Sequence, residues 1–210
     1  MLANTDTHDT TDTTDTDDIQ LLTQAWINER GAPEILAFEG QVIDRLLELL
    51  RAQEEHVEEL SNDDANDIDF VRSVYLHEAD RVKFVLQSYL RTRLFKIEQK
   101  TLAILKSPEY QACLSESELA YAQRFNQIVQ ETYEKSFLLD SLPPSLQSMD
   151  DPNIVGAPDL NQAVFFRTKV DFGDHLLPNG ETLDLSKNKI YLLRYNTIKA
   201  LLKNGAIELI

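Results

Sequence analysis

Apolar residues begin to recur at three- and four-residue steps just after Asp18, with Ile19, Leu22 and Trp26 leading and Asp18 placed to cap free N–H groups. This spacing predicts a first helix over about 18–30. Gly31 breaks it, and Pro33, whose missing N–H costs nothing in a first helical turn, predicts the start of a second helix. Ile35, Leu36, Val42, Ile43, Leu46, Leu47 and Leu50 then form a wide apolar stripe that ends in a solvated face carrying Glu54, Glu55, Glu58 and Glu59. A polar turn over 62–66 precedes a stretch, 68–105, that reads as one long helix, straight or bent. Val82, Val85, Leu86, Tyr89, Ile97 and Ile104 share one side of it, and Ser107 and Pro108 stop it. Ser115 and Glu118 have the spacing of a capping box and open a last long helix through Leu119, Ala122, Phe125, Ile128 and Val129. Each helix is marginal alone in water, so the apolar faces must be covered by one another or by a partner.

Beyond about residue 160 the period changes to two. Val164, Phe166, Thr168 and Val170 point one way and Phe165, Arg167 and Lys169 the other, the alternation of a half-buried strand. Pro178, Asn179 and Gly180 predict a tight turn, 182–185 and 190–195 further strands, 196–203 a short helix and 206–210 a closing strand. The fold class expected is α+β, an N-terminal helical bundle followed by a small β-rich module. The expected boundaries are an acidic Thr/Asp tail over 1–17, helical over 18–139, a linker over 140–160 rich in proline (143, 144, 152 and 158), and the β-rich module over 161–210. The tail has too few apolar groups to offset ordering entropy and reads as a disordered, solvated arm, or one that is phosphorylated or binds a partner.

Composition narrows function mainly by exclusion. The 210 residues are 42% hydrophobic, enough for a core, and carry a formal charge of −16, which argues against a broad phosphate-gripping surface. The single cysteine, Cys113, makes no intrachain disulfide. No run approaches the eighteen or so apolar residues of a membrane span, and no basic start precedes an apolar run, so an intracellular chain without membrane insertion is expected. Six scattered glycines form neither a Walker loop nor a dinucleotide fingerprint, and the four histidines (8, 56, 77 and 175) lack ligand spacing. No catalytic, cofactor or metal residues are assigned, and no enzyme activity is expected.

One cluster departs from the acidic background. Between Arg81 and Lys106 lie seven basic residues and a single acid, Glu98. On a helical wheel Arg93 and Lys100 fall on the side of Val82, Val85, Leu86 and Tyr89, where charges need partners. Acids on neighbouring helices, near Glu54 or Glu118, would supply them, or another subunit would; direct DNA contact is a further reading.

Seven strings in order carry a family resemblance: QAWINERGAPEIL at 24–36, EADRVKFVLQSYLRTRLFKIEQ at 78–99, LSESELAYAQRF at 114–125, PPSLQ at 143–147, PDL at 158–160, VFFR at 164–167 and YLLRYNTIKALLKNGAIELI at 191–210. They resemble the Sld-five-type subunits of the eukaryotic GINS complex. The resemblance implies a helical A domain followed by a β-rich B domain, and a scaffold in the nucleus without catalytic residues. The partners it implies are three paralogous GINS subunits, the MCM helicase ring with a Cdc-class accessory protein, and the replicative polymerase machinery. A nucleic-acid-binding module and an unrelated helical adaptor are the alternatives. The candidates for subunit-interface or buried-pair roles are Trp26 on the first helix; Arg81, Tyr89, Arg91, Arg93 and Lys96 on the long helix; and Arg194, Tyr195, Leu209 and Ile210 in the β-rich module.

Overall fold

The computed structural model describes residues 11–60, 68–136, 143, 156–171, 173–176 and 182–210. The architecture is α+β: helices α1 (Thr11–Gly31), α2 (Gly40–Leu60), α3 (Ile68–Gln99), α4 (Thr101–Lys106), α5 (Pro108–Gln111) and α6 (Glu116–Ser136) precede a module of β1 (Ala163–Thr168), β2 (Gly173–Leu176), β3 (Thr182–Leu185), β4 (Ile190–Arg194), helix α7 (Tyr195–Lys203) and β5 (Ile207–Leu209). The chain divides into two compact units, Met1–Trp26 with Glu39–Tyr89, and Ile27–Phe38 with Leu90–Ile210.

In the first unit the stripe read from α2 is buried at Val42, Ile43, Leu46 and Leu50, and that of α3 at Val82, Val85, Leu86 and Tyr89. Asp18 is not a cap. Helix α1 begins at Thr11, seven positions earlier than expected, so the part of the supposed disordered tail over 11–17 is helical; Thr and Asp are residue types that helix N-termini favour. Asp18 instead lies buried inside the helix, where Arg45 donates to both its oxygens at 2.7 and 2.6 Å. The first ten residues and the polar turn at 62–66 lie outside the described residues.

In the second unit the expected helix start at Pro33 is absent, and residues 32–39 are irregular until α2 opens at Gly40. The physical reason is that side chains of α3 take the carbonyls a helix would have used: Arg93 binds the Leu36 oxygen, and Lys96 that of Glu34. Ile35 therefore leaves the α2 stripe and packs with Ile97, Ile104 and Ala122. The long helix is broken. Lys100 (φ −131°, ψ 24°) separates α3 from α4, and Pro108 occupies the first turn of the short α5.

β1 is the centre of a three-stranded antiparallel sheet, ordered β4-β1-β5, and β2 and β3 form a separate pair. The two-residue alternation of β1 holds at Val164, Phe166 and Thr168, which are buried, against Phe165 and Arg167, which are exposed. It stops there: the strand ends at Thr168 and Val170, expected inside, is exposed. Thr168 is tolerated inside because its hydroxyl donates to the Ser186 carbonyl. Tyr195, expected to end a strand, begins α7. The module core gathers Val164, Phe166, Leu185, Tyr195, Ile198, Leu202, Ile207 and Leu209, together with Ala32 from the irregular segment. The turn at 178–180 and most of the expected linker lie outside the described residues.

Candidate functional site

The most organised polar region of the second unit is a buried ionic network built on one face of α3. Arg93 and Lys96 lie one turn apart on α3 and Lys100 stands at the break after it, and all three reach carbonyls of the irregular segment, those of Leu36, Glu34 and Pro33. Arg93 is fully buried and its five N–H donors meet five acceptors. Its Nε and Nη2 grip the two Glu118 oxygens at 2.7 and 2.9 Å, Nη1 reaches Glu29 Oε2 at 3.1 Å and the Leu36 carbonyl at 2.8 Å, and Nη2 also reaches the Cys113 carbonyl at 2.9 Å. The guanidinium carbon sits 5.3 Å from the centroid of Phe38, within cation–π range. Glu118 also closes the capping box of α6, accepting from the Ser115 N–H at 3.0 Å while its own N–H donates to Ser115 Oγ at 3.2 Å.

Lys96 uses all three of its protons: on Glu29 Oε1 at 2.8 Å, on the Glu34 carbonyl at 2.8 Å and on the Glu29 carbonyl. Burial holds this ammonium below the usual lysine range despite the opposing pull of Glu29. Lys100 donates to the Pro33 carbonyl and is likewise lowered by burial, with Glu34 opposing. Glu34, itself buried, accepts from Tyr195 Oη at 2.8 Å, Lys199 Nζ at 2.6 Å and Tyr110 Oη at 3.4 Å. Burial, reinforced by the negative charge and hydrogen bond of Glu34, drives the Tyr195 phenol far above its ordinary value, so it stays a donor. Nearby, the Leu209 N–H donates to Asn28 Oδ1 at 2.8 Å, and a side chain on Gly31 would meet Leu209 Cβ at 3.2 Å. Helix α7 and strand β5 are thereby tied to Ile27–Phe38 by charge, hydrogen bonds and close packing.

This arrangement holds parts in place. Among the described residues no buried side-chain nitrogen or oxygen lacks a partner, and no three His, Cys, Asp or Glu residues are grouped to hold a metal. No helix among them is long and apolar enough to cross a membrane. A cavity of about 120 Å³ beside the α3–α4 break is lined by Lys100, Leu102, Phe125 and Val129 among others.

The structure brings Arg93, Lys96, Tyr195 and Leu209 to this region. It leaves Arg81 exposed and paired with Glu78 at 2.6 Å, Arg91 and Arg194 exposed, and Ile210 half exposed. In the first unit Trp26 lies edge-on to Phe84 at 6.2 Å, and the buried Tyr89 hydroxyl accepts from the Glu39 N–H at 3.3 Å. Of the two acids expected to answer Arg93, Glu118 does, whereas Glu54 pairs with Lys83. Glu29, Glu34, Tyr110 and Lys199 were not singled out from the sequence. For Glu29 and Glu34 the available signal is that two acids flank the Gly31–Pro33 break; Tyr110 and Lys199 carry none.

Two family models match the chain in the order of its parts: the helical bundle domain of GINS complex proteins over residues 41–137, and the C-terminus of the DNA replication complex GINS protein SLD5 over residues 158–210. Proteins described as DNA replication complex GINS protein SLD5 are similar along almost their whole length. The one from Chaetomium globosum is 36% identical over 92% of this chain and 90% of its own; that from Arabidopsis thaliana is 36% identical over 92% and 91%; and that from Homo sapiens is 35% identical over 91% and 88%. The matches span both the helices that carry Arg93 and Glu118 and the module that carries Tyr195 and Leu209, and at that identity and coverage the chain belongs to the SLD5 family of GINS complex proteins.

Proposed function

We propose that this chain is a non-catalytic scaffold subunit of a GINS heterotetramer, acting with the MCM ring and a Cdc-class accessory protein in the replicative helicase in the nucleus. Its relatives' names place them in a DNA replication complex. The observation that carries the scaffold reading is the uncovered apolar surface of α3. Phe70, Val74 and Phe84 are 74%, 52% and 62% exposed, and Val71 and Leu76 lie beside them in sequence, an amount of bare apolar side chain that a partner would cover. The fate of the basic cluster supports the same reading over DNA binding. Arg93, Lys96 and Lys100 are turned inward onto acceptors of their own chain, and Arg81 and Lys83 are paired with Glu78 and Glu54, so few of these charges are left for phosphates.

The test is co-expression with the three paralogous subunits of the same organism, followed by sizing. A stable complex with one copy of each is expected, and replacing Phe70 and Val74 together by Glu should eject this chain from it. A soluble monomer that ignores its paralogues would overturn the proposal.

A further inference from the structure

The outward face of the β4-β1-β5 sheet carries apolar residues in a place where strands usually turn polar. Register pairs Phe165 with Leu192 across β1 and β4, and Ile210 continues the row on the other side, its N–H donating to the Phe165 carbonyl at 3.2 Å. These three side chains are 57%, 52% and 50% exposed, and Ile190, one step along β4, is 56% exposed. At one end of β4 the row meets Arg194, exposed and without an ion-pair partner among the described residues. Arg167, opposite Ile190, is held by Glu208, which also takes Lys169. Arg194, Arg167 and Lys169 against Glu208 leave this face basic, in a chain whose formal charge is −16.

The edge of the sheet is open on the same side. β4 is an outer strand, and among the described residues no strand pairs with it on the side away from β1. Natural proteins blunt such edges with charge, proline or a bulge, because an edge of bare N–H and C=O groups invites another strand. Four of the five residues of β4 are Ile, Tyr, Leu and Leu, and the charge comes only at its end, Arg194.

We infer that the β4 edge is a docking site for an extended acidic-apolar segment of a partner protein, added antiparallel as a fourth strand. The sheet is antiparallel throughout, and β4 runs from Ile190 to Arg194. An antiparallel arrival therefore sets its residues opposite Arg194, Leu192 and Ile190 in that order. Side chains directly opposite share a face, so the segment that fits reads acid, any residue, large apolar, any residue, large apolar. Main-chain hydrogen bonds supply affinity, and the exposed Leu192 and Ile190 side chains with Arg194 supply the choice of sequence.

The probe is a fluorescein-labelled synthetic peptide of that pattern, Asp-Thr-Leu-Thr-Phe flanked by Ser. It is titrated by anisotropy against the full chain and, separately, against the complex the chain forms with its paralogues. Saturable binding is expected in both. It should be lost when alternate peptide nitrogens are methylated, and weakened about tenfold by Leu192→Ser, the cost of uncovering one large apolar side chain. Because Leu192 is half exposed, circular dichroism should show that variant folded, and Ile190→Ser serves as the second. Arg194→Glu should reverse the preference, favouring the peptide with Lys in place of Asp. Equal binding of the two peptides to the unaltered chain, indifference to N-methylation, or no saturation would each overturn the proposal. Disappearance of binding on assembly would overturn it too, by showing that the face is covered by a paralogue.

Discussion

Arg93 and Lys83 sit ten residues apart on one helix and set the contrast between a buried and an exposed charge. Arg93 is 0% exposed and answers two carboxylates and two carbonyls, whereas Lys83 and its partner Glu54 are 40% and 53% exposed. Removing one member of a buried pair costs about 3–5 kcal/mol, because the remaining charges stay behind without a counterpart. Arg93→Ala should therefore lower the thermal midpoint sharply and lose paralogue binding, while Lys83→Ala leaves both within error; equal losses would show that the network carries no special weight. Tyr195 gives a second residue-scale test, through alkali. Its phenol, ordinarily at 10, is raised by burial and by Glu34, so above pH 10 the unfolded chain ionises while the folded one does not, and the stability it contributes is lost as pH rises. Lys96 and Lys100, lowered by burial, push in the opposite direction, so the comparison must be with Tyr195→Phe. That variant should be less stable at pH 7, having lost a hydrogen bond to a buried carboxylate worth about 1–3 kcal/mol, and the gap should narrow above pH 10. A gap that stays constant with pH would mean that the Tyr195 proton is not held by the fold.

At the scale of elements, Gly31 ends α1 where β5 comes closest. A Cβ there would meet Leu209 at 3.2 and 3.3 Å, tighter than ordinary contact. Gly31→Ala sets a helix-propensity gain of about 1 kcal/mol against overpacking of about 1–3 kcal/mol, so a small net loss is expected. Gly31→Val adds branching to the same gap and should destabilise the β-rich module more strongly, read as an earlier loss of its amide-exchange protection. The same elements mark how far the sequence could be read. α2, α6 and most of α3 follow from a repeat of three and four, and β1 from alternation, because a single buried face imposes its period on the chain. The irregular run after Ala32 leaves no such trace. Its shape is set by Arg93, Lys96 and Lys100, some sixty positions away, which take its carbonyls, so that Pro33, a residue suited to a first helical turn, does not open a helix. β3 is read from the sequence as a strand over 182–185, but its partner β2 leaves no trace for a related reason: it is four residues long and opens on Gly173 and Asp174, types that strands disfavour. Of the network, the basic half was legible, since cations on an apolar face demand partners. The acidic half was not, because Glu29 and Glu34 gain their meaning only once the chain has turned at Gly31.

For the molecule as a whole, the last residues bear on more than their own strand. Ile207 and Leu209 are buried in the module core and paired with β1, Leu209 N–H is held by Asn28, and Leu209 packs on Gly31, so β5 closes the sheet and fastens it to Ile27–Phe38 at once. A module of about fifty residues with no cysteine, and with no metal-holding group among its described residues, has little stability to spare, and losing two buried side chains of this size removes about 3–6 kcal/mol of apolar burial, comparable to everything such a core supplies. Deleting residues 207–210 should therefore unfold the module. The helical bundle should survive, because α2 and α6 contribute nothing to that core cluster. In a four-subunit assembly the same deletion should also abolish stable association, since an unfolded module frees Glu34 from Tyr195 and Lys199 and leaves its buried carboxylate without two of its three side-chain donors. Far-ultraviolet circular dichroism should retain the helical signal, exchange protection should vanish over 163–206, and a pull-down of the three paralogues should fail. Full recovery of the complex with the truncated chain would show that β5 serves its own sheet alone.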